Sequence, residues 1–423
     1  MATSTQDMVR PGECIDLYYY DAETSKKQCF PTTVNTKYVQ SFTNFGGGSS
    51  VFTIPPTNGI QDIVCQFVMP ALTAGMSASG LSLPRAWGYA LIKQVSFRYG
   101  GSSQYFLSGA QILQNALRRQ VSRQAGNDLL TLGGNTISGT SWTSAQTANV
   151  VLTLPHNVPS AWGKAHPLPT DLLTQQVQVT VELYPVSQVV SVYQAQAGDI
   201  MPTALTSAQF MVQQVMLNNQ GDALARRVDM ATNAYAFPCE FVQQVQQIPL
   251  ASGNGLQSVV LTGFRSGEVK SLQCWLNQLG DSPQSAQTSA AGRTNNPFNW
   301  QLPLQVILTY AGDVYARFEN ACSPLLNLIN DTKSPVVDNV LATTASGNVF
   351  NVAALQYWIE LPFAQTDKDE DSHHTLVHGK PITNGIVNIQ IQPPSSQLDW
   401  VLNVSYVYNA TLLFSQGTCD YVF

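Results

Sequence analysis

The sequence predicts an all-β protein made of two consecutive eight-stranded jelly-roll sandwiches with a few short helices in loops. Three observations predict it. Short apolar runs, alternating or continuous, recur between Gly, Pro, Asn and Ser punctuation. Helical periodicity is sparse. The chain also repeats itself at about half its length of 423 residues.

The strand signals come first. Ile63–Met69, Leu91–Tyr99, Val150–Leu154, Gln176–Tyr184, Phe241–Ile248, Leu302–Tyr310, Ala354–Leu361, Ile386–Gln392 and Trp400–Phe414 are rich in β-branched and aromatic residues. Within Val177–Leu183, Val177, Val179, Val181 and Leu183 fall on one face and Gln178, Thr180 and Glu182 on the other. Ile386–Ile391 alternates apolar and amide residues in the same way, so one face of each sheet is buried and the other is wetted by uncharged polar groups. The best helical pattern is Ala110–Gln124, with Ile112, Leu113, Ala116, Leu117 and Val121 on one stripe. Ser207–Asn218 is weaker and reads as helix or strand. No strand–helix alternation points to a parallel sheet.

The repeat divides the chain. Gln94–Gly101 (QVSFRYGG) aligns with Gln305–Gly312 (QVILTYAG), 211 positions on, and Leu154-Pro155 with Leu361-Pro362, 207 on. Pro169 matches Pro381 at 212, and Val177–Val181 matches Val387–Ile391 at 210. Four matches in one order at a nearly constant offset are hard to obtain by chance. They set an N-terminal arm at 1–30, jelly roll 1 at 31–197, a linker at 198–206 and jelly roll 2 at 207–423. Long connections such as Gly126–Asn149, Gly280–Asn299 and Thr366–Gly385 suit jelly rolls better than up-and-down barrels.

Composition narrows the function. Charged residues are 11% of the chain, well below the roughly 25% of an ordinary soluble domain. Yet 44% of residues are hydrophobic, so the low charge does not signal disorder. A surface of this kind suits neighbouring protein better than bulk water. A net charge of −6 gives no global basic field for nucleic acid, so no specific nucleic-acid partner is expected. The seven cysteines, Cys14, Cys29, Cys65, Cys239, Cys274, Cys322 and Cys419, are scattered and lack a CxxC pair, which reads as reduced thiols. Met1–Arg10 lacks an apolar signal core, and no apolar run reaches the ~18 residues of a membrane span, so secretion by a signal peptide is not expected.

Three segments carry a family resemblance. Leu83–Ile92 (LPRAWGYALI) followed by Val95–Gly101 (VSFRYGG) resembles the strand leading into a Gly-Gly turn in the double jelly-roll major capsid proteins of eukaryotic double-stranded DNA viruses, both large nucleocytoplasmic and virophage-like. Leu302–Gly312 is the second copy of that strand. Tyr406–Phe414 through Tyr421–Phe423 resembles the family's closing strand and tail. The resemblance implies a virion protein, synthesised in the host cytoplasm or nucleus. It would form a homotrimer whose six jelly rolls make a pseudo-hexagonal capsomer of an icosahedral capsid. The implied partners are copies of itself, penton and minor capsid proteins and, indirectly, an internal membrane. The alternatives are a carbohydrate- or receptor-binding jelly-roll protein, a minor capsid paralogue and a cupin-type metalloenzyme.

Candidate chemistry is thin. Gly46–Ser50 and Gly100–Ser103 are glycine-rich but lack the Lys-Ser/Thr of a phosphate loop, and turns requiring positive φ explain them. Asp367–His374 (DKDEDSHH) with His378 gathers carboxylates and imidazoles without a recognised ligand spacing, and reads as an exposed loop. Arg118, Arg119 and Arg123 flank the candidate helix, too few for a nucleic-acid footprint. His156 and His166 sit near Trp162 in a loop. The sequons at Asn330, Asn403 and Asn409 read as chance matches. The expectation is therefore a non-enzymatic protein with no catalytic residue, no cofactor and no metal.

Overall fold

Strand pairing turns the alternation of the sequence into two sandwiches of one design. The computed structural model describes residues 32–72, 81–99, 103–118, 123–138, 142–152, 168–189, 191–192, 202–217, 224, 228, 234–278, 303–319, 340–343, 349–353, 359–363, 380–382, 386–394 and 399–423. The first half contains β1 (Thr32–Ser41), β2 (Gly48–Thr53), β3 (Gly59–Met69), β4 (Leu81–Leu83), α1 (Trp87–Leu91), β5 (Ile92–Tyr99), β6 (Ser103–Leu107), α2 (Gly109–Arg118) and α3 (Arg123–Leu132). It continues with β7 (Ile137–Ser138), β8 (Gln146–Leu152), β9 (Gln178–Leu183), β10 (Ser191–Val192) and β11 (Ser207–Leu217). The second half runs through β12 (Tyr235–Val242), β13 (Gln246–Leu250), β14 (Gln257–Leu261), β15 (Glu268–Gln278), β16 (Gln305–Tyr310) and β17 (Asp313–Glu319). After these come β18 (Val340–Thr343), β19 (Val349–Ala353), β20 (Ile359–Pro362), β21 (Lys380–Pro381), β22 (Val387–Gln392), β23 (Trp400–Ser415) and β24 (Thr418–Val422).

The first sandwich pairs β1-β11-β3-β8 in one sheet and β2-β9-β5-β6 in the other, all antiparallel. The second pairs β12-β23-β15-β20 and β14-β22-β16-β17, with β13 extending β12 along β23. Counting the eight principal strands of each half in chain order, both halves show the orders 1-8-3-6 and 2-7-4-5, which is the jelly-roll connection. The aligned repeats fall on matching strands: Gln94–Tyr99 lies in β5 and Gln305–Tyr310 in β16, the fourth of each set. Val177–Val181 and Val387–Ile391 run into or along the seventh. Even the prolines correspond, because Leu168 bridges Ile60 at the start of β3 and Lys380 pairs with Val269 at the start of β15, each just before its Pro.

The sheets close over apolar cores. In β9, Val179, Val181 and Leu183 are buried while Gln178 is exposed, as the alternation requires. Phe52 of β2 stacks on Phe210 of β11 with ring centroids 4.2 Å apart, which fixes the inward face of both sheets. In the second sandwich, the Tyr406 hydroxyl donates to the Thr262 carbonyl beyond β14 (3.1 Å), which fixes the inward face of β23.

Three expectations need correction. The linker expected at 198–206 does not separate the units. Ser207–Leu217, expected to open the second, is the eighth strand of the first, zipped between β1 and β3. Local sequence left that segment ambiguous between helix and strand, and two unpaired neighbouring strands decided it. The single helix expected over Ala110–Gln124 is instead two, α2 ending at Arg118 and α3 beginning at Arg123, so α3 also occupies part of the connection expected from Gly126. The strand expected over Phe241–Ile248 breaks into β12 and β13 around Gln243. Residues 1–30 lie outside the described residues.

The second copy of the Gly-Gly turn reads Ala311-Gly312, and both residues have positive φ, 53° and 93°, between the paired Tyr310 and Asp313. This is the backbone of a tight hairpin turn, and an L-residue there costs roughly 1 kcal/mol relative to glycine. Ala311→Gly, at an exposed site, should therefore raise the unfolding free energy by about 0.5–1 kcal/mol in a denaturant titration.

Candidate functional site

The residues most constrained by their surroundings lie where the two sandwiches meet. α2 is amphipathic in sequence, yet every residue from Gln111 to Leu117 is buried. Its apolar stripe of Ile112, Leu113, Ala116 and Leu117 belongs to the core. Its polar face is covered as well, where the Gln114 amide and the Asn115 carbonyl oxygen find none of the hydrogen-bond partners that buried amides ordinarily have.

Gln111 has all of them. Its carbonyl oxygen accepts from the Ser108 backbone N–H (3.0 Å) and hydroxyl (3.3 Å), while the Ser108 hydroxyl accepts from the Gln111 N–H (3.3 Å). Ser108-x-x-Gln111 is thus a capping box that starts α2. Gln111 Nε2 then crosses to the second sandwich, donating to the Gln243 carbonyl (2.7 Å) and to the Ser405 hydroxyl (2.8 Å). Ser405 in turn donates to the same Gln243 carbonyl (2.7 Å). Gln243 fills the break between β12 and β13: its N–H donates to the Tyr406 carbonyl (2.8 Å), its Nε2 to the Gly263 carbonyl (2.9 Å), and its Oε1 accepts from the Tyr408 hydroxyl (3.1 Å). One amide therefore caps a helix of the first sandwich and ties the first and eighth strands of the second.

An aromatic cluster makes the second contact. Tyr105 of β6, 1% exposed, accepts a bond from the Val242 N–H (3.3 Å), and its ring meets Phe241 at 5.2 Å and Tyr421 at 5.7 Å. Phe241 also lies edge-on to Tyr421 (5.1 Å) and Phe423 (5.0 Å), and the Arg265 guanidinium stands 4.7 Å from its centre. Such aromatic pairs contribute about 0.5–1.5 kcal/mol each beyond area burial. The third contact is the tip of the β23–β24 hairpin. Gln416 and Gly417 take positive φ, and the Gly417 carbonyl accepts from the Thr174 N–H (2.9 Å) and hydroxyl (3.1 Å) of the first sandwich. A Cβ on Gly417 would collide with the Thr174 methyl.

Beside Gln111 lies a cleft of about 300 Å³ lined by Lys93, Gln94, Gln247, Trp275, Asn277 and Asn403 among others. Its amides bond one another, Gln247 to Asn403 (3.3 Å) and Asn403 to Asn277 (3.0 Å), and Lys93 pairs with Glu182 (2.6 Å). No nucleophile–base pair faces it among the lining residues.

The other sequence candidates fare differently. Gly47 and Gly48 have positive φ at the start of β2, the turn role expected of them. Asn403 and Ser405 of one sequon are buried in β23, as is Thr411 of another, which leaves no room for a glycan. Cys65, Cys239, Cys274 and Cys419 are buried thiols that form no disulfide. The Asp367–His378 segment, His156, Trp162, His166, Asn330, Cys14, Cys29, Cys322 and the side chains of Arg118, Arg119 and Arg123 lie outside the described residues. Among the described residues no three metal-ligating side chains converge, and no helix is long and apolar enough to cross a membrane. Gln111 was not among the sequence candidates; the signal that could have found its cap is Ser-x-x-Gln ahead of an apolar run. The crossing to Gln243 and Ser405 had no local signal.

No family model and no characterised protein sequence matches the chain. Solved structures do. A chain of the PBCV-1 virus capsid model superposes with a TM-score of 0.62 at 12% identity, covering 93% of this chain and 96% of that one. A chain of the Sputnik virophage structure gives 0.54 at 11%, covering 95% and 91%. The mavirus major capsid protein gives 0.51 at 10%, covering 96% and 93%. The chain has the double jelly-roll fold. In a double jelly roll the strand order of each unit is set by its sheets, whereas the pairing of the units rests on contacts such as Gln111, Tyr105 and Gly417.

Gln111→Ala should destabilise the protein by about 2–3 kcal/mol, because it removes a cap and leaves buried acceptors short of a donor. A double-mutant cycle with Ser405→Ala should return a coupling of about 1 kcal/mol by denaturant unfolding. The buried core and junction should also be alkali-sensitive. Burial, reinforced by the neighbouring Tyr and Cys groups, holds the Tyr99 and Tyr421 phenols well above their usual value, and burial pushes the Cys274 thiol up to about 12. Groups raised in the folded state stabilise it fully below their unfolded pKa and lose that contribution as pH rises toward the folded one. The denaturant midpoint should therefore fall above pH about 9–10, with the absorbance of the buried phenolates appearing only on unfolding.

Proposed function

We propose that this chain is the structural major capsid protein of a double-stranded DNA virus, trimerising into a pseudo-hexagonal capsomer that tiles an icosahedral shell. The observation that carries the reading is two sandwiches of identical strand order, joined through a buried polar and aromatic junction, in the fold shared with the mavirus major capsid protein. Three copies supply six equivalent plates, and a closed ring needs only one kind of head-to-tail contact. The low charge supports it, since an amide- and hydroxyl-rich surface hydrogen-bonds to neighbours without the cost of burying ions.

On this reading the protein acts by shape and works without catalysis, cofactor or metal. It resides in the virion. Its partners are its own copies, neighbouring capsomers, and penton and minor capsid proteins, with any internal membrane reached indirectly. A net charge of −6 argues against a dedicated genome-binding role. Electron microscopy of the purified full chain should show trimers of near-sixfold outline. A stable monomer at capsid-assembly concentrations would overturn the proposal.

A further inference from the structure

The two halves share a strand order, but the corresponding outer faces of their 1-8-3-6 sheets have different fates. β3 and β15 are both the third strand of their sandwich, and each carries a bulge at the same place. In β3, Asp62 and Ile60 pair with consecutive residues of β11, leaving Gln61 out of register. In β15, Ser271 and Val269 pair with consecutive residues of β23, leaving Lys270 out. Aligning the bulges makes Val64 the counterpart of Gln273. Their eighth-strand partners then correspond too: Met211 pairs with Val64, and Ser405 pairs with Gln273.

Ser405 and Gln273 face outward from the second sandwich, yet both are 0% exposed; α2 of the first sandwich reaches this spot with Gln111 bonded to Ser405, and the neighbouring Gln273 amide has no hydrogen-bond partner. In the first sandwich the inward direction is fixed by the Phe52–Phe210 stack, so Met211 and Val64 also face outward. They sit in a row that crosses all four strands, Val39–Met211–Val64–Val151. Val39 is 48% exposed, and the other three are only half-buried. A parallel row, Ser41–Gln209–Gln66–Asn149, supplies hydroxyl and amide groups beside it, with Gln66 bonded to Asn149 (3.0 Å).

We propose that this outer face of the β1-β11-β3-β8 sheet, centred on Met211 and Val64, is the docking surface for the second sandwich of another copy of this chain. The proposal rests on the capsomer reading and goes beyond it by assigning the face. The occupant follows from the duplication: the equivalent spot in the second half is already covered by a first sandwich, so a head-to-tail ring covers the vacant spot with a second sandwich. The contact within the chain and the contact between chains then use equivalent sites with different chemistry. The internal one is an amide–hydroxyl node around Gln111, and the external one an aliphatic row beside an amide row. That difference keeps the two contacts from substituting for each other.

The test compares full-length wild type with V39K/M211K, the single V39K, and V260K as a control. Val260 is 57% exposed in β14, on the other sheet of the second sandwich. Mass photometry across a dilution series reads the oligomer, and near-ultraviolet circular dichroism with thermal melting reads the fold. The expected result is a trimeric wild type and a trimeric V260K. V39K/M211K should be folded, with at least ~10-fold weaker association, and V39K should shift the same way even if the double variant fails to fold. Folded V39K and V39K/M211K that trimerise like wild type would overturn the face assignment and leave the capsomer reading standing, as would a V260K that dissociates equally. A wild type that never trimerises would overturn the capsomer reading and the assignment with it.

Discussion

The arrangement of the two halves depends on one buried polar group, the side chain of Gln111. Its carbonyl end is held by the cap of its own helix and its amino end by two acceptors across the junction. The same four bonds that satisfy Gln111 therefore fix α2 against β23 and the β12–β13 break. Aliphatic packing at this spot would tolerate small shifts and rotations, whereas directed hydrogen bonds fail with them. The aromatic cluster around Phe241 adds burial energy, and the Gly417 hairpin tip adds a third fixed point. Three separated contacts of different chemistry define an orientation that no single contact would.

Duplication explains why such precision matters. Two copies of one sandwich in a chain present two versions of every surface, and any pair of complementary surfaces can join within a chain or between chains. Heterologous contacts of this kind close into rings only when the rotation per unit is fixed. In the proposed trimer the internal junction would set that rotation for half of the contacts before assembly. The two halves place different residues at the equivalent spot, Met211 and Val64 against Ser405 and Gln273, on strands that share a register and a bulge.

Much of this architecture was legible in the residues. Period-two runs such as Val177–Leu183 fold as strands wherever one face is buried, and the repeated QVxxxY segment sits on the fourth strand of both sandwiches. Positive φ at Gly47, Gly48 and Gly312 matches the glycine turns. Ser207–Leu217 was not legible, because its composition allows helix or strand and only the gap between β1 and β3 selects one. The helix over Ala110–Gln124 was read from its apolar stripe, but the stripe does not show that the opposite, polar face is also buried. The site was legible in still smaller part: Ser108-x-x-Gln111 announces a cap, and nothing near it announces a partner 132 or 294 residues away.

By itself the sequence determined what local periodicity and self-similarity encode: strands, turns, an all-β class and two units of one plan. Those properties depend on neighbours within a few residues or on comparing the chain with itself. Tertiary structure alone decided which strand closes the first sandwich, which polar face disappears into the junction, and which equivalent row of side chains on the first sandwich stays partly exposed. These are outcomes of long-range pairing, where the partner that satisfies a hydrogen bond or covers a row of side chains lies in another part of the chain and leaves no mark beside the residue it completes.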